Sequence, residues 1–515
     1  MNIDSMTNQK RPLKLVYCTS WAGGPGHSGS SQSDRNLYRL INRELFDLTL
    51  VIADEKDPGE PRFERLFENL IKIQYTGVDN RFENLVNYFS EADIVQFQGG
   101  FDPMVCEAAK AARVPALVES LRTIEAGGLY PHIDISICIS KSVLETQPEP
   151  GKATTIYNGI DLDRFAFTKR GRHDGKIILL QASNRVKSCF NLDEIADEVL
   201  SLDPDIEIWL AGAGQTLPST DRVKFLGLIE DIETVYSKAD ALVLFTEKEA
   251  FGLVVAEAMA CGCLPIAPDI GGPAEIVTDG VDGWTVCPSD KNEALNAIGQ
   301  AVSLKKKDSA KWENMRASAR ETVERRFSIS RCVKQYENIY LDLIKKKGRR
   351  IKRGPAQAPP APEVDIADAL FHLNAGRLDR FTESVKTMAL REQPIKIPRL
   401  ALVAQRLAKH VKARGRNDLA ELIYRKIYGS GYHGADWMKE WLEITPPGDG
   451  REFIIKELGN LEHDDPEIVL LLAEESIETG NITKALDILE EGALKFPDSK
   501  TLIETCELLK SKIDR

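Results

Sequence analysis

The stretch at 246–286, TEKEAFGLVVAEAMACGCLPIAPDIGGPAEIVTDGVDGWTV, restricts the fold more than any other part of the chain. It follows an apolar run, ALVLF at 241–245, short and branched enough to form a buried parallel strand. A polar loop at 247–252 comes next, then helical spacing over 253–261 with Gly262 placed to end it. LPIA at 264–267 predicts another strand. Gly271 and Gly272 make a turn before Pro273, which suits the first position of a further helix. The unit is strand, loop, helix, strand, with its polar loop at the carboxyl end of a strand, where open parallel sheets bind ligands.

Two carboxylates frame that loop: Glu249 precedes the helix and Glu257 lies inside it. A helix start offers unpaired N–H groups and a positive dipole end, which suits a phosphate, and Gly252 lets an anion approach the backbone. Carboxylates accept hydrogen bonds from sugar or ribose hydroxyls. Together these groups fit a phosphate flanked by two sugars. Two glutamates eight positions apart mean little by themselves in a chain with 79 acidic residues, so the letters around them carry the weight.

Those letters run EAFGLVVAE from Glu249 to Glu257, AMACG to Gly262, and GGPAEIV from Gly271 through Glu275. They resemble the donor-site signature of retaining GT-B glycosyltransferases of family 4: a glutamate, seven residues, a second glutamate, then a Gly-Gly turn and a third glutamate. The resemblance spans nearly all of residues 1–353. It implies an α/β fold of two doubly wound Rossmann-like domains facing a cleft, the second holding a nucleoside-diphosphate sugar and the first the acceptor.

The rest of this span follows in order. LKLVYC at 13–18 predicts a strand, TSWAGGPGHSGSS at 19–31 a small-residue loop, and a helix continues through Asn36. The family has a Gly-Gly loop here between acceptor and donor phosphate, which points to Gly24. Further strands at 48–53, 92–98, 115–118 and 133–140, with helical stretches between, predict one parallel-sheet domain. TTIYNGIDLDRF at 154–165 resembles the linker into the second domain, with a turn at Asn158 and Gly159.

The second sheet starts with KIILLQ at 176–181, and the loop after it holds Asn184, Arg185 and Lys187. Arginine grips phosphate bidentately and lysine adds a point charge. By resemblance, Arg185 and Lys187 hold the donor diphosphate beside Asn184. The family spaces its two cations more widely, so which takes which part stays open. Strands at 205–211 and 223–227 follow, and Ile229 falls in the loop that frames the nucleotide base. Glu249 is expected to position the sugar, with Phe251, Gly252 and Leu253 completing the donor contacts and Glu257 holding the ribose.

VESLRT at 118–123 departs from the pattern, placing Arg122 where the family often has a histidine close to the transferred sugar. Either Arg122 meets an anionic sugar or acceptor, or the role has moved to His27, or the activity is degenerate.

Length predicts three units of roughly 150–180 residues. A net charge of -12 argues against nonspecific nucleic-acid binding. The 9 cysteines are scattered, without metal-ligand spacing, as expected of reduced thiols in a cytoplasmic protein. The first residues, MNIDSMTNQKRPLK, lack the apolar core of a signal peptide, and no membrane-spanning run is expected. Helical residues at 310–347 complete the second domain, and in this fold the last helix crosses back to the first. A basic run at 345–353 leads into the proline-rich stretch GPAQAPPAP at 354–362, an extended spacer. The basic run can solvate a helix end or touch anionic headgroups at the inner face of the membrane.

From residue 366 the chain reads as helices. Leu407, Ala408, Gly415, Ala420 and Tyr424 are echoed at the same spacing by Leu472, Ala473, Gly480, Ala485 and Leu489. This resembles degenerate tetratricopeptide repeats, which bind protein partners or mediate self-association.

The expected organisation is an acceptor domain at 1–160, a donor domain at 161–350, a linker at 351–364 and an α-helical repeat domain at 365–515. The expected reaction moves a sugar from a nucleoside-diphosphate sugar to a hydroxyl of a glycan, lipid-linked or protein acceptor. Surface polysaccharide or lipid-linked glycan synthesis is the family-level setting. The family retains anomeric configuration and uses neither metal nor further cofactor. Arg185, Lys187 and the amides near Gly252 and Leu253 would stabilise the departing diphosphate. A hydrolase with two carboxylates is the first rival. The second is a catalytically retired scaffold whose helical domain binds partners.

Overall fold

Apolar runs buried on both faces require a parallel sheet covered by helices on each side, and the chain forms two. The computed structural model describes residues 11–19, 29–52, 64–72, 78–98, 103–124, 132–147, 150–167, 175–182, 189–212, 220–348, 365–366, 369, 378–391, 393–395, 398–432, 435–446, 449–460, 466–478, 481–497 and 499–513. The chain divides into two compact units, Met1–Ala358 and Pro359–Arg515.

In the first unit, strands β1 (Leu13–Thr19), β2 (Phe46–Ile52), β3 (Asn69–Lys72), β4 (Ile94–Gln98), β5 (Ala116–Leu121), β6 (Ile135–Cys138) and β7 (Ala153–Thr155) form one sheet. Their order is β3-β2-β1-β4-β5-β6-β7, with every pairing parallel. A second parallel sheet has the order β10-β9-β8-β11-β12-β13. Its strands are β8 (Ile177–Ala182), β9 (Ile206–Ala211), β10 (Val223–Gly227), β11 (Ala241–Val243), β12 (Leu264–Pro268) and β13 (Trp284–Val286).

Helices α1 (Gly29–Leu40), α2 (Val78–Phe89), α3 (Pro103–Ala111) and α4 (Lys141–Glu145) connect the first sheet. The second has α5 (Ala196–Leu202), α6 (Ile232–Tyr236), α7 (Leu253–Ala260), α8 (Gly271–Ile276), α9 (Lys291–Lys307), α10 (Ser309–Phe327) and α11 (Ile329–Lys347). Asp290 and Asp308 cap α9 and α10 by accepting from first-turn amides. Arg320 Nη1 donates to the carbonyls of Phe165 at 2.6 Å and Ala260 at 3.0 Å, fastening α10 to the end of α7.

The helical residues expected at 310–347 form two helices divided at Ser328, whose extended backbone (φ -63, ψ 142) turns α11 away. This break sends α11 back onto the first sheet. Val333, Tyr336, Tyr340 and Ile344 complete a core with Leu15, Leu48, Ile94 and Val118. Tyr336 OH lies 3.3 Å from Ser120 Oγ, and Tyr340 OH donates to Gln96 Oε1. Three strands escaped the sequence reading, β3, β7 and β13, and all lie at sheet edges. Edge strands of three or four residues are too short to show a period. The helix expected to start at Pro273 begins two residues earlier, at Gly271, and proline is tolerated in its first turn.

The second unit is helical: α12 (Leu378–Leu390), α13 (Pro398–Lys412), α14 (Asn417–Gly429), α15 (Ala435–Ile444), α16 (Asp449–Asn460), α17 (Pro466–Glu478), α18 (Ile482–Lys495) and α19 (Lys500–Ile513). Leu407 and Ala408 on α13 are buried, as are Ala420 and Tyr424 on α14. Leu472, Ala473, Ala485 and Leu489 occupy the same places in α17 and α18. Gly480 lies outside the described residues, as do the proline-rich stretch and the basic run beyond Gly348. Among the described residues no helix is long and apolar enough to cross a membrane.

Candidate active site

In the second sheet, strand order reverses between β8 and β11, the switch point at which open parallel sheets form a ligand-binding crevice. The loop after β8, carrying Asn184, Arg185 and Lys187, lies outside the described residues, but both its ends are fixed. Gln181 is buried and donates to Asn191 Oδ1 at 2.8 Å while accepting from the Leu192 N–H at 2.7 Å. The Cys189 N–H donates to the Phe245 carbonyl at 2.8 Å, tying this loop to the one after β11.

The loop after β11 leads to α7. Gly252, at φ +95, sits at the helix start in the left-handed region that favours glycine. Glu249 Oε1 accepts from the Gly252 N–H at 3.2 Å and the Phe251 N–H at 3.5 Å, closing the turn that leads into the helix. The amide of Gly252, expected to face a phosphate, is therefore engaged by Glu249, while Glu249 Oε2 has no partner among the described residues. Leu253, the first helical residue, is partly exposed.

The glycine pair explains why this loop is held. A Cβ at Gly271 would lie 2.5 Å from the Glu249 carbonyl oxygen, and one at Gly272 would overlap the Phe251 backbone. The Gly272 N–H donates to the Glu249 carbonyl at 3.0 Å. Only glycine permits this backbone-to-backbone approach, so α8 packs directly on the Glu249 loop. The Phe251 side chain points inward: it packs 6.1 Å from the Tyr157 ring and 5.7 Å from the Phe327 ring, centroid to centroid. Its contribution to the crevice is backbone alone.

Glu257 lies four residues into α7, about 6 Å along the axis from Leu253. It is buried, and burial pushes its carboxyl up to about 7. The nearby charge of Arg164 and the Tyr236 hydroxyl, 3.4 Å from Oε2, pull the other way without prevailing. Arg164 donates from Nε to Glu233 Oε2 at 3.0 Å and from Nη2 to the Glu230 carbonyl at 3.0 Å. Glu230 follows Ile229, which is partly buried at the carboxyl end of β10. Ile229, Arg164, Tyr236 and Glu257 thus gather on one side of the crevice, and Glu249 stands at the head of α7. Arg164 and Tyr236 were missed. Arg164 sits in the linker motif at 154–165, where only the turn was read.

Gly24 and His27 lie outside the described residues. Arg122 is placed differently from the reading that it meets a sugar or acceptor. Its side chain is 3% exposed and forms a salt bridge with Asp34. It donates to Asn158 Oδ1 at 2.8 Å and Ser33 Oγ at 3.1 Å, and Tyr17 OH donates to Asp34 at 2.7 Å. Burial opposes the guanidinium charge, but Asp34 more than compensates and the group stays charged. This cluster holds α1 and the crossing segment to the end of β5. A buried guanidinium so committed cannot reach a ligand without breaking the cluster.

Residues 178–303 match the profile of the family described as "Glycosyl transferases group 1". The chain is 30% identical over 236 residues to the N-acetyl-alpha-D-glucosaminyl L-malate synthase of Bacillus anthracis, covering 41% of this chain and 60% of that protein. It is 28% identical over 178 residues to a D-inositol 3-phosphate glycosyltransferase of Mycobacterium sp., covering 30% of this chain and 40% of that one. This chain therefore spans less than two thirds of the length of these relatives. Among solved structures, Anabaena HepE in complex with UDP superposes with a TM-score of 0.54 at 18% identity, covering 64% of this chain and 100% of that one. A glycosyltransferase from Rickettsia africae gives a TM-score of 0.55 at 16% identity, covering 65% and 99%. The fold of the first unit is GT-B.

Proposed function

We propose that this protein transfers a sugar from a nucleoside-diphosphate sugar to an acceptor hydroxyl, with retention of anomeric configuration and without a metal. The observation that carries the reading is the pair of carboxylates at the switch point of the second sheet, Glu249 in the loop before α7 and Glu257 within it. Glu249 heads the helix with one oxygen unengaged among the described residues, and Glu257 is buried beside the Ile229 edge. The sequence match at 178–303 and the GT-B fold support it.

In this reading Glu257 accepts from the ribose hydroxyls, Ile229 borders the base, and Glu249 Oε2 accepts from a sugar hydroxyl. Arg185 and Lys187, beside Asn184, neutralise the diphosphate as it departs, each charged hydrogen bond contributing roughly 1.5–3 kcal/mol. The bond from the anomeric carbon to the phosphate oxygen breaks, and the acceptor oxygen bonds to the same face of that carbon. Its proton passes to the leaving diphosphate, so no protein base is required. The buried helix pairs α13/α14 and α17/α18 support reading the second unit as a tetratricopeptide-like module that binds a protein partner.

The test is calorimetry with UDP, GDP, ADP and their sugars, on wild type and Arg185→Ala. The expected result is selective binding of one nucleotide that the substitution removes. Binding of none would end the transferase reading. Activity should also persist in excess chelator.

A further inference from the structure

The donor contacts just described leave the third glutamate of the signature, Glu275, without a task. Its carboxylate points out of the second-sheet domain. Oε2 accepts from the Lys141 N–H at 3.0 Å and from Tyr157 OH at 2.9 Å. Oε1 accepts from the Ser142 N–H at 2.8 Å and Ser142 Oγ at 3.3 Å. Lys141 and Ser142 open α4, which belongs to the first-sheet domain, and Tyr157 lies in the segment crossing between the two sheets. The next amide of α4, Val143, is taken by Ser140 Oγ at 3.1 Å, so Glu275 supplies the acceptors that this helix start lacks. One side chain makes four hydrogen bonds across the domain boundary.

Both sides of this contact are anchored. Arg326 Nη2 donates to the Glu275 carbonyl at 2.8 Å, with its guanidinium 4.7 Å from the Phe327 ring centroid. Glu275 rides on α8, whose Gly272 N–H donates to the Glu249 carbonyl, so a displacement of α8 carries the Glu249 backbone with it. On the far side, the residue after Tyr157 is Asn158, which Arg122 and Ser33 hold to the first-sheet domain. Adjacent linker residues are thus gripped from opposite domains. The Tyr157 hydroxyl is pushed up to about 12, by burial first and then by Glu275, so it stays a hydrogen-bond donor at any working pH.

We infer that Glu275 is a positioning residue that sets the register of the first-sheet domain, which would present the acceptor, against Glu249, which would hold the sugar. What the register serves rests on the transferase reading; the register itself rests on geometry. Displacements of about 1 Å can cost about a hundredfold in rate, so a residue far from the reacting bond can matter this much.

The test uses the full chain with Glu275→Ala, Glu275→Gln and Tyr157→Phe. Hydrogen exchange read by mass spectrometry should show the Lys141 and Ser142 amides exchanging about tenfold faster in Glu275→Ala, with Glu275→Gln intermediate and Tyr157→Phe changed least. Calorimetric affinity for UDP, GDP or ADP should stay within about twofold. Release of nucleoside diphosphate from its sugar should fall about tenfold in kcat at unchanged donor KM, with partial recovery in Glu275→Gln. Unchanged exchange at Lys141 and Ser142 in every variant would overturn the inference. So would a matching loss of nucleotide affinity, which would place Glu275 in the donor site. If Glu275→Ala does not fold, Glu275→Gln and Tyr157→Phe carry the same comparison. If wild type binds none of these nucleotides, the transferase reading falls and the exchange result alone decides the register.

Discussion

Two buried charge clusters flank the segment that crosses between the sheets, and they are built in opposite ways. Around Arg122 the fold supplies a carboxylate at Asp34, acceptors at Asn158 and Ser33, and a donor for Asp34 at Tyr17. Only the guanidinium Nε lacks a partner among the described residues. Around Glu257 the fold supplies one long bond from Tyr236 and the charge of an arginine already paired to Glu233. The first cluster is electrically complete, so it belongs to the architecture. The second leaves a buried carboxylate short of hydrogen bonds, a condition that costs stability until a ligand supplies them. Burial alone therefore does not separate structural charges from functional ones; compensation does.

The comparison breaks first, and most visibly, at Arg122. Arg122→Ala leaves Asp34 buried and unpaired, so denaturant unfolding should report a loss of about 3–5 kcal/mol. A loss below about 1 kcal/mol would show the pair to be solvated and the contrast false. Glu257→Gln should act the other way. Nucleotide affinity falls about tenfold or more as charged hydrogen bonds to the ribose are lost, while stability at pH 8 holds or rises because the neutral amide carries no desolvation cost. A drop in both would make Glu257 structural.

The pH response sharpens the same point. Glu257 titrates at about 7 when folded and at its ordinary lower value when unfolded. Between those values the folded state holds the extra proton, so this group's contribution to stability falls as pH rises through the window and levels off above about 7. Nucleotide binding, which calls for the carboxylate, should strengthen over the same rise, by up to about tenfold per unit below the folded value. Titration calorimetry from pH 5.5 to 8 checks this, and Glu257→Gln should flatten the curve. The smallest effect belongs to Tyr236→Phe. Removing one bond at 3.4 Å should weaken nucleotide binding by less than about 1 kcal/mol and move the pH midpoint slightly upward.

Much of this was legible before any coordinates. The strands β1, β8 and β12 are largely apolar runs, and the helix bearing Glu257 starts at Leu253, as its spacing predicts. What escaped is of one kind. The edge strands β3 and β13 are too short for a periodic signal, and the break at Ser328 shows no glycine or proline to mark it. At Arg122 the sequence leaves three readings open, a sugar or acceptor contact, a role moved to His27, or degenerate activity, because nothing local announces that Asp34 lies across from it. Nor does the local sequence show that the ring of Phe251, expected among the donor contacts, packs near those of Tyr157 and Phe327.

By itself the sequence determined the alternation of strand and helix, the parallel sheets and the loop at a strand's carboxyl end, because periodicity and glycine placement act over a few neighbouring residues. Tertiary structure decided what each charged group is for. Asp34 and Arg122 are 88 residues apart, and Ser142 and Glu275 are 133 apart. No local pattern encodes whether such groups meet. A charge in the interior is defined by its partners, and only the folded chain brings them within reach.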